Sequence, residues 1–456
     1  MIQINDLSFR YANSNVQALK EINLNIRRGE CICLTGASGS GKSSLLLAIK
    51  GLIPHFIKGR FDGSVSINGI DTREADITTL SENIGLVFQN PETQIFNLTV
   101  KEEVAFGLEN LLVPRDEIVK RVKEALKLAG LTGFENRNPA DLSGGEKQKV
   151  CIASILAMKP DILLFDEPLS QLDEKGKSDL LVILKGLKGK VTMIIGEHNV
   201  SAASKVSDRI VLMNGGEIIA EGEEVDAEME AFFKRFGVRW KVGIRRYESK
   251  RNCEEVAKLK DVSFLYRDKE VLSNFSLSIG RREFIGITGE NGAGKTTVLK
   301  IMAGLLKAKK GTVQVLGMNP SPKKVFSKVG FLFQNPEYQI FERTVRDEVA
   351  FALRKKGLQE AEIEERVFDA LESVGIGDLG ERNPLTLSMG EKHRVALAAI
   401  IALDPEIIIL DEPTSGLDYG NATRMLEKIK SLGKTVVIAS HDRELLEMCC
   451  DAIYQI

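Results

Sequence analysis

Apolar, β-branched runs alternate along this chain with stretches in which apolar residues recur at helical spacing. ECICLTG (Glu30 to Gly36) and EFIGITG (Glu283 to Gly289) read as buried strands, each delivering a glycine-rich loop. DILLFDEP (Asp161 to Pro168) and EIIILDEP (Glu406 to Pro413) read as strands that end in two carboxylates. SDRIVLMNGGEIIAEG (Ser207 to Gly222) reads as strand, turn and strand, whereas CDAIYQI (Cys450 to Ile456) offers only the first strand of such a hairpin. Strands alternating with helical patterns imply parallel sheets with covering helices, an α/β fold.

The pattern occurs twice. FQNPETQIF (Phe88 to Phe96) returns as FQNPEYQIF (Phe333 to Phe341), and GASGSGKSS (Gly36 to Ser44) as GENGAGKTT (Gly289 to Thr297). DLSGGEKQKV (Asp141 to Val150) answers to TLSMGEKHRV (Thr386 to Val395), and ILLFDEPLSQLD (Ile162 to Asp173) to IIILDEPTSGLD (Ile407 to Asp418). A period of about 250 residues means tandem domains rather than a solenoid. The lysines are further apart than the aspartates (295 − 42 against 411 − 166), so the first copy carries an insertion, expected within Ile53 to Gly63. The expected organisation is a first domain at 1–225, a linker at 226–257 and a second domain at 258–456. EEVDAEMEAFFKRF has helical spacing, and the stretch after it is basic and includes Trp240. A solvated linker with a partly buried tryptophan is expected there.

Composition narrows the setting. A chain of 456 residues calls for two or three domains. Hydrophobic content of 43%, charged content of 28% and a net charge of −2 fit a globular protein with no global attraction to nucleic acid. No apolar run approaches the roughly 18 residues of a membrane span. MIQINDLSFRY does not read as a signal peptide. Six cysteines without a CxxC pair are expected to be buried or inert thiols in a reducing cytoplasm.

Both glycine loops match G-x-x-x-x-G-K-[ST] after a strand, the context that gives the motif its meaning. Gly36, Ser38, Gly39 and Gly41, and in the second copy Gly289, Asn291, Gly292 and Gly294, would turn backbone N–H groups toward phosphate oxygens. Lys42 and Lys295 would sit on the β- and γ-phosphates, and Ser43 and Thr296 would offer a hydroxyl to Mg²⁺, beside Ser44 and Thr297. At the carboxylate strands, Asp166 and Asp411 can reach a magnesium shell, while Glu167 and Glu412 can polarise an attacking water.

With LSGGE and LSMGE added, both halves resemble nucleotide-binding domains of the ATP-binding cassette (ABC) family, over nearly the whole chain outside the linker. The resemblance implies ATP and Mg²⁺ as cofactors, ATP hydrolysis as the activity, and two P-loop domains. Each would have a mainly parallel sheet, a helical subdomain and an N-terminal antiparallel β subdomain. It puts Tyr11 and Tyr266 against adenine, Gln89 and Gln334 on the magnesium and the attacking water, and His198 and His441 on the γ-phosphate. Ser170–Asp173 and Ser415–Asp418 match the loop that crosses between halves. In this family ATP lies between the glycine loop of one half and the signature of the other, so the halves are expected to pair within one chain. The second-half loop would face Ser143, Gly144 and Gly145; the first-half loop would face Ser388, Met389 and Gly390. Methionine in place of glycine crowds that approach and excludes the φ > 0 region, so one site is expected to be weaker. Of the remaining histidines, His55 and His393 receive no catalytic role.

The nonapeptide, with Pro91, Glu92, Gln94 and Pro336, Glu337, Gln339, resembles the PExQ segment of energy-coupling-factor importers of vitamins or transition-metal ions, and GLIPHFIKG resembles their fused ATPase. That implies two membrane partners, an integral coupling protein and a small substrate-binding protein, and a place at the cytoplasmic face of the membrane. Two alternatives stay open: the tandem ATPase of another importer class such as sugar uptake, and a soluble tandem cassette acting on ribosomes. A packing turn repeated by duplication alone would also produce the repeat.

Overall fold

The computed structural model describes residues 1–170, 172, 174–240, 254–266, 269–290, 292–325, 327–415, 417 and 419–456. Among them are two compact units, the first built mainly on residues up to 241 and the second mainly on those beyond.

In the first unit, strand Ile2–Tyr11 pairs antiparallel with Leu19–Ile26 on one side and Gly59–Ile67 on the other. Its Ile2, Ile4, Leu7 and Phe9 are buried while polar neighbours face out, the alternation of a half-covered sheet. A six-stranded sheet follows, in the order Glu217–Gly222, Arg209–Asn214, Cys31–Thr35, Thr192–Gly196, Ile162–Asp166, Ile84–Val87. All its neighbours are parallel except the first pair. Cys31–Thr35 and Thr192–Gly196 are buried along their whole length, so they read as continuous apolar runs rather than alternating ones. A separate helical layer, Val100–Asn110, Arg115–Leu128 and Gly144–Met158, closes on its own core around Val104, Leu108, Leu126 and Val150.

The second unit repeats this plan. Glu255–Tyr266 pairs antiparallel with Lys269–Gly280 and Lys310–Val315. Its main sheet has five parallel strands, Val329–Leu332, Ile407–Asp411, Thr435–Ala439, Phe284–Thr288 and Ala452–Gln455, with no partner of the Glu217–Gly222 kind among the described residues. Helices Val345–Lys356, Glu360–Ser373 and Met389–Ala402 form its helical layer. The first-copy insertion forms the short helix Leu52–His55 and the start of strand Gly59–Ile67, and leaves Phe56 exposed.

Helix Ala227–Phe236, placed by sequence in the linker, belongs to the first unit. Its Met229 and Phe233 pack with Cys33, Val200, Ala203 and Leu212, and Trp240 lies half-buried against Phe233 with ring centroids 6.1 Å apart. Asp226 caps it and Gly237 ends it at φ 68°, both ordinary helix signals. Most of the basic stretch, with Cys253, lies outside the described residues, as do Asn291, Asp173 and Asp418. Cys31, Cys33, Cys151, Cys449 and Cys450 are free and buried. No helix among the described residues is long and apolar enough to cross a membrane.

Candidate functional site

In each unit a fully buried strand stops at a glycine loop, and a helix starts directly behind it. Cys31–Thr35 leads through Gly36–Gly41 to helix Lys42–Ile49, and Phe284–Thr288 leads through the matching loop to helix Lys295–Met302. Gly41 (φ 104°) and Gly294 (φ 105°) hold the N-cap in the left-handed region. At Gly41 a Cβ would also come within 2.7 Å of the Ala18 carbonyl, so glycine is required twice over. Lys42 Nζ donates to the carbonyls of Gly36 at 2.8 Å and Ala37 at 3.1 Å; Lys295 Nζ donates to Gly289 at 2.8 Å and Glu290 at 3.1 Å. Both ammonium groups are thus held over the loop that bears the N–H groups.

The carboxylate strands lie beside the loop strands' neighbours and bring their last aspartate to the helix start. Ser43 Oγ donates to Asp166 Oδ1 at 3.0 Å, and Thr296 Oγ1 donates to Asp411 Oδ1 at 3.0 Å. Burial raises both carboxyls, Asp411 to about 6, against the opposing hydroxyl hydrogen bond. A hydroxyl and a carboxylate side by side, next to a lysine and a glycine loop, fit Mg²⁺ bound together with nucleotide phosphates. No cluster of three or more His, Cys, Asp or Glu among the described residues makes a protein-only metal cage.

Glu167 and Glu412 follow one residue later, at φ 50° and 47°, a conformation unusual for a residue with a Cβ. Each is pinned by its N–H to the neighbouring strand, at Gly196 and Ala439. Glu167 Oε2 accepts from Gln89 Nε2 at 2.7 Å, and its Oε1 lies 2.5 Å from His198 Nε2. His198 Nδ1 meets the Gly36 carbonyl at 2.9 Å, so it is the donor there. In the second unit the histidine turns its other nitrogen: His441 Nδ1 lies 2.9 Å from Glu412 Oε2, and Glu412 Oε1 accepts from the His441 N–H at 2.9 Å. Gln334 does not repeat the Gln89 contact in the hydrogen bonds seen here; it lines, with Tyr266, Gly292, Gly294, Lys295, Thr296, Thr297 and Glu412, a cleft of roughly 320 Å³.

Tyr11 and Tyr266 both sit at the mouths of the loops. Tyr11 is hydrogen-bonded through its hydroxyl to Ser44 Oγ at 2.8 Å, whereas Tyr266 is 46% exposed. Each packs edge-on against the phenylalanine two residues before it, at 4.9 Å.

The signature segments are built alike. Ser143 and Ser388 cap helices Gly144–Met158 and Met389–Ala402, each with a reciprocal capping box to Glu146 or Glu391. Gly144 and Met389 are both the first helical residue, and neither has positive φ. The expected backbone penalty at Met389 is therefore absent, because helical φ suits any residue. What remains is bulk: Met389 is 45% exposed at a position where the first unit presents no side chain.

Two further side chains belong here: His393, given no catalytic role from sequence, and Glu197, which the sequence reading passed over. His393 stands between the carbonyls of Met389 (3.1 Å) and Gln334 (3.2 Å), joining the signature helix to the glutamine loop, while burial lowers its pKa. The Glu197 carboxylate, buried beside His198, accepts N–H groups from His198, Asn199 and Leu169. Burial, and then Glu167 nearby, raise its pKa. Only a count of acids next to the histidine would have pointed to it. His55 has a structural partner, the Thr72 carbonyl at 2.8 Å.

The ABC transporter family model matches residues 19–170 and 272–415. An ABC transporter ATP-binding protein of Caldanaerobacter subterraneus subsp. tengcongensis is 38% identical over 96% of this chain and 87% of its own length. One from Methanosarcina mazei is 37% identical over 98% and 91%. Among solved structures, cbiO1 from Clostridium perfringens, described as part of the ABC transporter complex cbiONQ, is 33% identical and covers 51% of this chain and 91% of its own, with a TM-score of 0.45. With two glycine loops, two carboxylate pairs and two signatures on α/β units matched twice by that family, the chain belongs to the ABC transporter ATPases, as two nucleotide-binding domains in one polypeptide that hydrolyse ATP with Mg²⁺.

Proposed function

We propose that this ATPase powers an importer of the energy-coupling-factor type, for vitamins or transition-metal ions, by driving a separate integral membrane coupling protein that works with a small substrate-binding membrane protein. It would act at the cytoplasmic face of the membrane. The observation that carries this reading is the nonapeptide, which each unit builds as a hydrogen-bonded turn beside an exposed aromatic pair.

Its polar residues tie the turn to its neighbours. Asn90 and Asn335 cap the short turns that begin at the buried Pro91 and Pro336. Glu92 pairs with Lys147 at 2.7 Å and Glu337 with Lys392 at 2.5 Å, tying the turn to the signature helix. Gln94 and Gln339 accept the N–H of Phe88 and Phe333 and close the loop. The buried carboxylates of Glu103 and Glu348 each accept two N–H groups at Phe96–Asn97 and Phe341–Glu342. What faces out is Phe96 on Phe106 and Phe341 on Phe351, edge-to-face at 4.6 and 4.7 Å, with Phe96 63% and Phe341 60% exposed. Exposed aromatic pairs held on a rigid frame suit the apolar face of a partner helix. On the same helical layer, a cleft of roughly 920 Å³ is lined by apolar residues such as Leu112, Val119 and Val122 together with charged ones such as Glu109 and Lys123.

Within the ATPase, Lys42 and Lys295 would bind β- and γ-phosphates, Ser43, Asp166, Thr296 and Asp411 would hold Mg²⁺ with Gln89 and Gln334, and Glu167 and Glu412 would polarise water beside His198 and His441. Tyr11 and Tyr266 would stack on adenine. Head-to-tail pairing would set each glycine loop against the other unit's signature. The Glu92–Lys147 and Glu337–Lys392 links would then connect the docking platform to the signature helix.

The test is a pull-down of tagged protein from detergent-solubilised membranes, with the co-purifying proteins identified. A stoichiometric polytopic partner together with a small membrane protein is expected. Ribosomes, or no membrane partner, would overturn the importer reading.

A further inference from the structure

We infer that Glu197 is a positioning residue for the first catalytic centre, locking the histidine segment to the turn that follows Glu167. It rests on the roles proposed above for Glu167 and His198. The residue is 3% exposed and sits at the end of strand Thr192–Gly196, with its own N–H bound to the Leu34 carbonyl. Its side chain spends both oxygens on backbone. Oε1 accepts from the N–H of His198 at 2.9 Å and of Asn199 at 3.2 Å, and Oε2 accepts from the N–H of Leu169 at 3.2 Å. Leu169 lies two residues beyond Glu167, in a turn where Ser170 Oγ donates to the Glu167 carbonyl at 2.8 Å. The carboxylate therefore ties the backbone of His198 and Asn199 to the turn two residues beyond Glu167.

The second unit is the internal control. At the matching position it has Ser440, 1% exposed, whose hydroxyl donates to Glu412 Oε2 at 3.2 Å and accepts the Asp442 N–H at 3.1 Å. A serine reaches the catalytic carboxylate itself but not the turn beyond it, so Thr414, the counterpart of Leu169, gains no such tie. Burying a carboxylate is costly unless its oxygens are satisfied, and three N–H donors satisfy this one. A buried acid kept beside another acid, where the sister unit manages with serine, points to a task that serine cannot perform.

The variant Glu197→Gln keeps size and one acceptor oxygen but replaces the other with an amino group, so it cannot hold both segments. In full-length protein that carries Glu412→Gln, so that the first centre carries the turnover, adding Glu197→Gln is expected to bring kcat within about threefold of that seen on adding Glu167→Gln, with the KM for ATP within about twofold of that background. A purely structural residue would lower the folded fraction and leave turnover per folded molecule unchanged. A kcat unchanged from the Glu412→Gln background on adding Glu197→Gln, beside a further loss on adding Glu167→Gln, would overturn the positioning role alone. A kcat unchanged from that background on adding Glu167→Gln would overturn the catalytic reading, and this proposal with it. Hydrogen exchange in the unmutated protein needs no variant: the Leu169 amide should exchange more slowly than that of Thr414, and equal rates would remove the tie.

Discussion

Lys42, Ser43 and Asp166 make contacts in the first unit that Lys295, Thr296 and Asp411 repeat in the second at the same distances. One turn away, the units part. The first keeps Gly144 where the second has Met389, and Glu197 where the second has Ser440; its histidine meets the glutamate through Nε2, the other through Nδ1. The proposed hold on phosphate and magnesium is the same in both units, which leaves little freedom. Under the proposed roles the surroundings would set how fast each site turns over, and there the copies differ.

The sharpest way to break this comparison is to remove each glutamate in turn. Under head-to-tail pairing, Glu412 serves the site with the all-glycine signature and Glu167 the site facing Met389. Glu412→Gln should lower steady-state ATPase on the order of a hundredfold, the usual scale for losing a catalytic acid or base, and Glu167→Gln by much less. Equal losses, or the reverse order, would end the asymmetry. Exchanging the signature residue should have the next largest effect: Gly144→Met should slow turnover by about tenfold, since a misplacement near 1 Å can cost more than that. Met389→Gly should raise it. Both leave the helix cap intact, because Ser143–Glu146 and Ser388–Glu391 do not involve the substituted side chain. Unchanged kcat in both variants would show that bulk at this position is harmless.

A third effect concerns the docking platforms. Phe96→Ala and Phe341→Ala each remove an exposed ring, so ATPase of the isolated protein should stay put. Affinity for the membrane partner, measured by retention on immobilised complex, should fall by about tenfold per ring, the scale of an aromatic anchor. A loss at only one platform would mean that the copies do not dock equivalently.

Much of this was legible beforehand because it was local. Strand, glycine loop and helix follow one another in sequence, so both cradles, and the carboxylate pairs at the ends of Ile162–Asp166 and Ile407–Asp411, could be placed from pattern. The two-layer plan with antiparallel and helical additions came from the resemblance. The linker boundary was misjudged because Met229 and Phe233 find their core on strands far away in sequence. The positive-φ argument at Met389 failed because a capping box puts that residue inside a helix. Glu197 was missed for a related reason: its partners are backbone groups, and backbone has no signature in a sequence. The PExQ residues were legible as a repeated motif, but not the contacts that Gln94 makes to the Phe88 N–H and Glu92 to Lys147, because those partners are not adjacent in sequence.

The smallest effect separates the helical layers. Helix Val100–Asn110 ends with Leu112 at φ 55°, and Val113 donates back to the Leu108 carbonyl; helix Val345–Lys356 ends the same way with Gly357 at φ 79°. This left-handed stop favours glycine, and a side chain there costs about 1–2 kcal/mol. Leu112 recovers little by burial, since it is 89% exposed beside the apolar cleft. Leu112→Gly relieves that strain but frees the unfolded chain, which returns roughly 0.5–1 kcal/mol. The net is a stabilisation of about 0.5–1 kcal/mol, read as a higher urea midpoint, and Gly357→Leu should lower the midpoint by a similar amount. If Leu112→Gly instead destabilises, that leucine is held by packing, and the strain argument falls. If it stabilises while weakening partner binding, the first unit keeps a strained leucine for the surface it presents, and the second, with Gly357 and Glu364 in place of Leu112 and Val119, does not share that duty.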